Sequence, residues 1–157
     1  MKTSMFGILV LSMSVAGAAS QNDKSDAEKF RGTWRVVSVE RDGETEFEKK
    51  DKPFYFSFDN GKMTMKAGKK TLEASTFKID PSKSPKEIDL FTGKTGKDHA
   101  KGIYVFEGDQ LKICLSALPP RPAEKDDIPN VSKDRPTEFT AKKDQMRFLF
   151  VLIRDKP

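Results

Sequence analysis

Cysteine and histidine each occur once in this chain of 157 residues, as Cys114 and His99. A lone cysteine forms no disulfide within the chain, so a small domain made from this sequence must be held together by core packing. One histidine and one cysteine do not make a tetrahedral zinc site without several carboxylates. The single histidine is set in a loop-like stretch with Gly96, Lys97 and Asp98 and reads as a solvated side chain, and no motif pairs it with a nucleophilic serine. The sequence has no glycine-rich phosphate cradle and no cysteine pair at metal spacing, and it points to no cofactor. Past the N-terminal segment, no apolar run is long enough to cross a bilayer. Nor is charge of one sign gathered anywhere. The 29 basic and 24 acidic residues are interleaved, with a formal net charge of +5. No basic stripe runs beside stacking aromatics, as a nucleic-acid surface requires, so no nucleic-acid partner is expected.

What is present begins with an address. Lys2 supplies a short positive region, and an apolar run follows from Met5 to Val15. Ala16-Gly17-Ala18-Ala19-Ser20 then offers the small residues of an A-x-A cleavage site. This order matches a secretory signal, with cleavage after Ala18 fitting best. Residues 1–19 read as a signal peptide and 20–157 as a single domain, exported to the periplasm or the extracellular space. No transmembrane segment is expected once the signal is removed.

Twelve phenylalanines provide core material for that domain, and their spacing is that of strands. Ser25 or Asp26 is a candidate cap for a short helix ending at Phe30, with Gly32 as its stop. Trp34 to Arg41 is rich in β-branched residues. Phe54, Phe56 and Phe58 share one face of the next strand. Asn60-Gly61 is a tight-turn signal, and Met63 and Met65 share a face beyond it. Strands are expected over Thr71–Ile79 and Glu87–Phe91, then over Gly102–Phe106 and Gln110–Ser116 as a hairpin across Gly108-Asp109. Pro119–Arg135 is a long, proline-rich, charged connection. Pro136–Thr140 and Met146–Arg154 complete the pattern. About eight short strands with hairpin turns predict an all-β, antiparallel barrel or sandwich with a short N-terminal helix. Period-two alternation leaves its inward side chains as either a filled core or a ligand cavity.

Two resemblances narrow this. Gly32-Thr33-Trp34 after a short helix, with Arg154 at the end of the last strand, resembles the lipocalin and wider calycin signature. There the tryptophan plugs one barrel end and a basic residue packs across its ring, which implies a barrel-closing role for Gly32, Trp34 and Arg154. A wider set of stretches covers nearly the whole domain: Gly32 to Ser38, Pro85 to Leu90, Gly102-Ile103-Tyr104, Gly108 to Leu115, and Arg135-Pro136-Thr137-Glu138-Phe139. Together they resemble a family of small, exported, lipocalin-like domains expanded in planctomycete bacteria. That resemblance implies export and a roughly eight-stranded barrel, and carries no assigned chemistry. The Pro119–Asp134 stretch is longer than the pattern leads one to expect.

The leading functional expectation is non-enzymatic binding of a small, partly apolar ligand. Phe54, Phe56, Phe58, Met63, Met65, Phe148 and Phe150 would line its site. Asp89, Tyr104, Arg135 and Glu138 are polar residues on or beside strands. They read either as surface groups, with Asp89 and Arg135 as a pair, or as a polar floor that orients a ligand head group. The alternative is a filled barrel acting as a structural or interaction module for an envelope protein, with the Pro119–Arg135 loop as its contact surface. An enzyme would need Asp89, Glu138 or Cys114 to converge in one pocket. Cys114, between Ile113 and Leu115, reads as a buried side chain.

Overall fold

The computed structural model describes residues 25–49, 51–92, 98–116 and 134–155. The signal segment and most of the Pro119–Arg135 connection lie outside the described residues. One helical turn, α1 (Asp26–Phe30), precedes nine strands: β1 (Gly32–Arg41), β2 (Glu44–Phe47), β3 (Phe54–Asp59), β4 (Lys62–Ala67), β5 (Lys70–Asp80), β6 (Lys86–Thr92), β7 (Asp98–Glu107), β8 (Gln110–Leu115) and β9 (Phe148–Arg154).

All pairings are antiparallel between neighbours, and β9 returns to β1, closing an eight-stranded barrel of β1 and β3 to β9. β2 is an extra strand. The first residues of β1, Gly32 to Arg35, pair with β3, whereas Ser38 to Arg41 pair with β2. A register shift between Val36 and Ser38 lets β1 follow β9 along its whole other edge. Tight turns set the meander. Asp42-Gly43 and Asn60-Gly61 carry paired positive φ values (54° and 80°, 46° and 75°), the conformation that two-residue hairpins require and that Asx-Gly adopts at least cost.

Three expectations need correction. Pro136–Thr140 is not a strand but a strap laid over the outside of the barrel. Pro136 has no N–H to give a ladder, and the polar groups that follow are used in the crossing: Ala141 N donates to Glu40, and Thr140 O accepts from Cys114 Sγ. The last strand begins at Phe148 rather than Met146, whose φ of 48° breaks the extended run. His99 lies within β7, opposite Phe91, rather than in a loop.

Burial alternates as the closed barrel demands. The inward faces contribute Trp34, Val36, Phe56, Phe58, Met63, Met65, Ile88, Leu90, Tyr104, Leu111, Ile113, Phe150 and Leu152 to one continuous core, joined by Phe30 from α1. Gly102 belongs to this packing. A Cβ there would stand 2.6 Å from Leu115 Cδ2 and 2.7 Å from Cys114 O, so the wall has no space even for a methyl. A second, smaller cluster sits on the outer face, where Phe139 and Ala141 of the strap cover Ile103, Cys114 and Leu149.

Candidate functional site

The two ends of the barrel are finished differently. α1 stoppers one of them. Ser25, not Asp26, is its cap. The Ser25 hydroxyl accepts from Glu28 N while the Glu28 carboxylate accepts from Ser25 N, forming a capping box. This leaves Asp26 available for the barrel, where its Oδ2 accepts from Tyr104 Oη at 2.8 Å and from Lys86 Nζ at 2.7 Å. Burial works against the Asp26 carboxylate, but hydrogen bonds from Lys86 and Tyr104, helped by the charges of Lys86 and Lys29, outweigh it and hold its pKa below the ordinary value. Burial, together with the hydrogen bond and charge of Asp26, pushes the Tyr104 phenol far up, so it stays a donor.

Phe30 drops from α1 into a ring of aromatics. Its centroid lies 4.9 Å from Tyr104, 5.0 Å from Phe58 and 5.1 Å from Phe106, each edge-on. Such edge-to-face pairs add about 0.5–1.5 kcal/mol each beyond area burial. Trp34 Nε1 donates to Phe30 O at 2.8 Å. The Arg154 guanidinium lies 4.3 Å above the Trp34 ring and donates to the carbonyls of Arg31 and Lys29. Gly32 passes directly beneath, with φ of +118°. A Cβ there would meet Arg154 Nη1 at 3.1 Å, which ties this glycine to the arginine that seals the end. Beside the stopper, a cavity of about 280 Å³ lies between α1 and the β3–β4 turn, floored by Phe58 and Phe77 and rimmed by Arg31, Asp59 and Asn60.

The opposite end is the mouth. Its inward side chains Val39, Phe54 and Phe148 are only half-buried, although each packs on the core. Phe148 stacks on Phe150 at 6.2 Å, and the Arg41 guanidinium lies 5.9 Å over the Phe148 ring. Where β1 leaves β3 for β2, the wall splits. The resulting cleft, about 200 Å³, is lined by Val36, Ser38, Val39 and Phe54, with Glu46, Lys49 and Lys52 on its rim. Glu48 holds the cleft's outer lip: its N donates to Val37 O, and its carboxylate pairs with Arg35. On β5, Ser75 shares the inward face of Phe77 and Ile79. It is 7% exposed, and its hydroxyl has no hydrogen-bond partner.

The apolar candidates therefore converge on one interior. Phe56, Phe58, Met63, Met65 and Phe150 are buried within it, and Phe54 and Phe148 stand at the mouth. The polar candidates do not form a floor. Only Tyr104 is inside, and its hydroxyl is engaged by Asp26. Asp89 and Arg135 meet on the outer wall. Arg135 Nη2 lies 2.9 Å from Asp89 and 3.4 Å from Glu87, while Nη1 donates to the carbonyls of Ile88 and Gly102. This cation anchors the strap. Glu138 is exposed on the strap near Lys142. Cys114 lies beneath the strap, where burial pushes its thiol pKa up to about 11. Sequence reasoning did not single out Ser75, Val39 or the lip at Glu48. Ser75 was in principle visible, as a small polar residue in phase with Phe77 and Ile79.

Among the described residues no group of three or more His, Cys, Asp or Glu is placed to hold a metal ion, and no helix is long and apolar enough to cross a membrane. No family model matches this sequence, and no curated protein or solved structure matches it significantly.

Proposed function

We propose that the chain is exported and that its lipocalin-like barrel is a non-enzymatic binding domain, which admits a small, partly apolar molecule through the mouth opposite α1. The observation that carries this reading is the unequal packing of the two ends. One is closed by Phe30, Trp34 and Arg154, whereas the other leaves Val39, Phe54 and Phe148 half-buried beside a split wall. Concave, mainly apolar sites with few polar groups are where small molecules bind. The groups that catalysis would need stand apart: Asp89 is taken up by Arg135, Glu138 is exposed, and the Cys114 thiol is buried. Export, and kinship with the planctomycete family, rest on the leader pattern and the stretches named above.

The test is native mass spectrometry of the domain purified gently from the exported fraction. The reading expects an added mass that is lost on denaturation and in Phe148→Asp. A bare protein that also fails to bind any small apolar molecule added to it would overturn the mouth site. Recovery of the chain with residues 1–19 intact inside the cell would overturn export.

One observation favours a second reading, the filled interaction module. β2 carries Phe47, which is 76% exposed, on a strand whose outer edge is unpaired among the described residues. Exposed sheet edges accept extended partners, and Phe47→Ser would then abolish capture of an envelope protein.

A further inference from the structure

We infer that Ser75 is the hydrogen-bonding contact for the inserted end of the ligand, and that this end is neutral, a hydroxyl or carbonyl leading an apolar body. The inference rests on the mouth site proposed above and names the class of molecule that it takes. A buried hydroxyl without a partner is a defect that folded proteins rarely keep. The Ser75 hydroxyl is such a group: more than nine-tenths of the residue is buried, no partner is in reach, and it faces the barrel interior. Its burial has no structural return that alanine would not give equally well.

The neighbours argue for a ligand. Ser75 lies directly across from Met63, and Met65 is two residues further along β4 on the same inward face. Thioether side chains have three soft torsions and re-pack around an incoming group at little cost, so the side chains that screen the hydroxyl are the ones best able to move. From Ser75 toward the mouth the wetter residues follow, Phe54 and Phe148 among them. The charge of the tip follows from what surrounds it. No lysine or arginine is among the buried residues described. A carboxylate or phosphate brought to this depth would lose its water and gain only one hydroxyl. A neutral alcohol or carbonyl would lose little and complete the Ser75 bond.

The experiment uses the purified full chain carrying ¹³C-methyl methionine, with the Met63 and Met65 signals assigned. Hexan-1-ol, hexanoate and 1-fluorohexane are the probes. Hexan-1-ol is expected to shift both signals saturably and to bind at least tenfold more tightly than hexanoate. Ser75→Ala is expected to weaken hexan-1-ol about tenfold while leaving 1-fluorohexane unchanged. The isosteric Ser75→Cys, a weaker donor, should fall between. If Ser75→Ala and Ser75→Cys both bind hexan-1-ol as the parent does, Ser75 is no ligand contact and this inference fails while the mouth site stands. Hexanoate binding as tightly as the alcohol would overturn the neutral-tip assignment. If none of the probes moves the Met65 signal, the mouth site itself is wrong, and the inference falls with it.

Discussion

At the α1 end of the barrel every polar group named has an assigned partner: the Trp34 indole, the Arg154 guanidinium, the Asp26 carboxylate and the Tyr104 hydroxyl. Away from α1 the Ser75 hydroxyl, midway along β5 and opposite Met63, has none, and at the mouth Val39, Phe54 and Phe148 remain partly wet. The same sheet thus carries a finished end and an unfinished one. Binding regions are drawn from the less stable parts of a fold, because a site that is already satisfied has nothing to offer a ligand.

The largest expected effect separates the two ends by stability. Phe30→Ala removes a ring enclosed by Phe58, Phe77, Tyr104 and Phe106 and should cost about 3–5 kcal/mol in urea unfolding. Phe148→Ala, half-buried at the mouth, should cost roughly half of that or less. Equal losses would erase the distinction. Next comes Gly102→Ala, which forces a methyl against Leu115 and the Cys114 carbonyl and should cost about 1–3 kcal/mol by overpacking.

A pH titration sharpens the comparison further. Despite burial, the Asp26 pKa is held in the folded state below the ordinary carboxylate value by Lys86 and Tyr104. Its contribution is therefore fully present above that value and is lost as pH falls through the folded pKa. Asp26→Asn should flatten this acid limb of the stability curve, while substitutions at the mouth leave it in place. The smallest effect belongs to Ser75→Ala. Removing an unsatisfied hydroxyl should leave the stability of the ligand-free protein unchanged or raise it by up to about 1 kcal/mol. A clear loss would mean that Ser75 has a structural partner.

The strands were legible because period two and Asx-Gly turns are local signals, and the inward apolar set followed from them. Parity also fixes Asp89. With Ile88 and Leu90 inside, it must point out, so the polar floor was excluded by the same pattern that predicted the barrel. Other features were hidden for physical reasons. β2 is a run of Glu-Thr-Glu-Phe with all four residues exposed, so no hydrophobic alternation marks it, although Asp42-Gly43 announces the hairpin. The strap reads as a strand because Phe139 and Ala141 bury like strand residues, but against the outside of the barrel. Which of Ser25 and Asp26 caps α1 depends on a tyrosine 78 positions away from Asp26, beyond the reach of any local rule.

Closure of the barrel at the β1–β9 seam has a kinetic consequence. The groups that meet there include Arg154 and Arg31, 123 positions apart, and the second edge of β1 stays unpaired until β9 arrives. Folds dominated by such distant pairings form slowly, because the entropy of a long loop is lost before the contact returns anything. During synthesis the nascent chain would hold β1 and β8 as open edges until β9 is delivered, and would remain unlocked and threadable until that last strand docks.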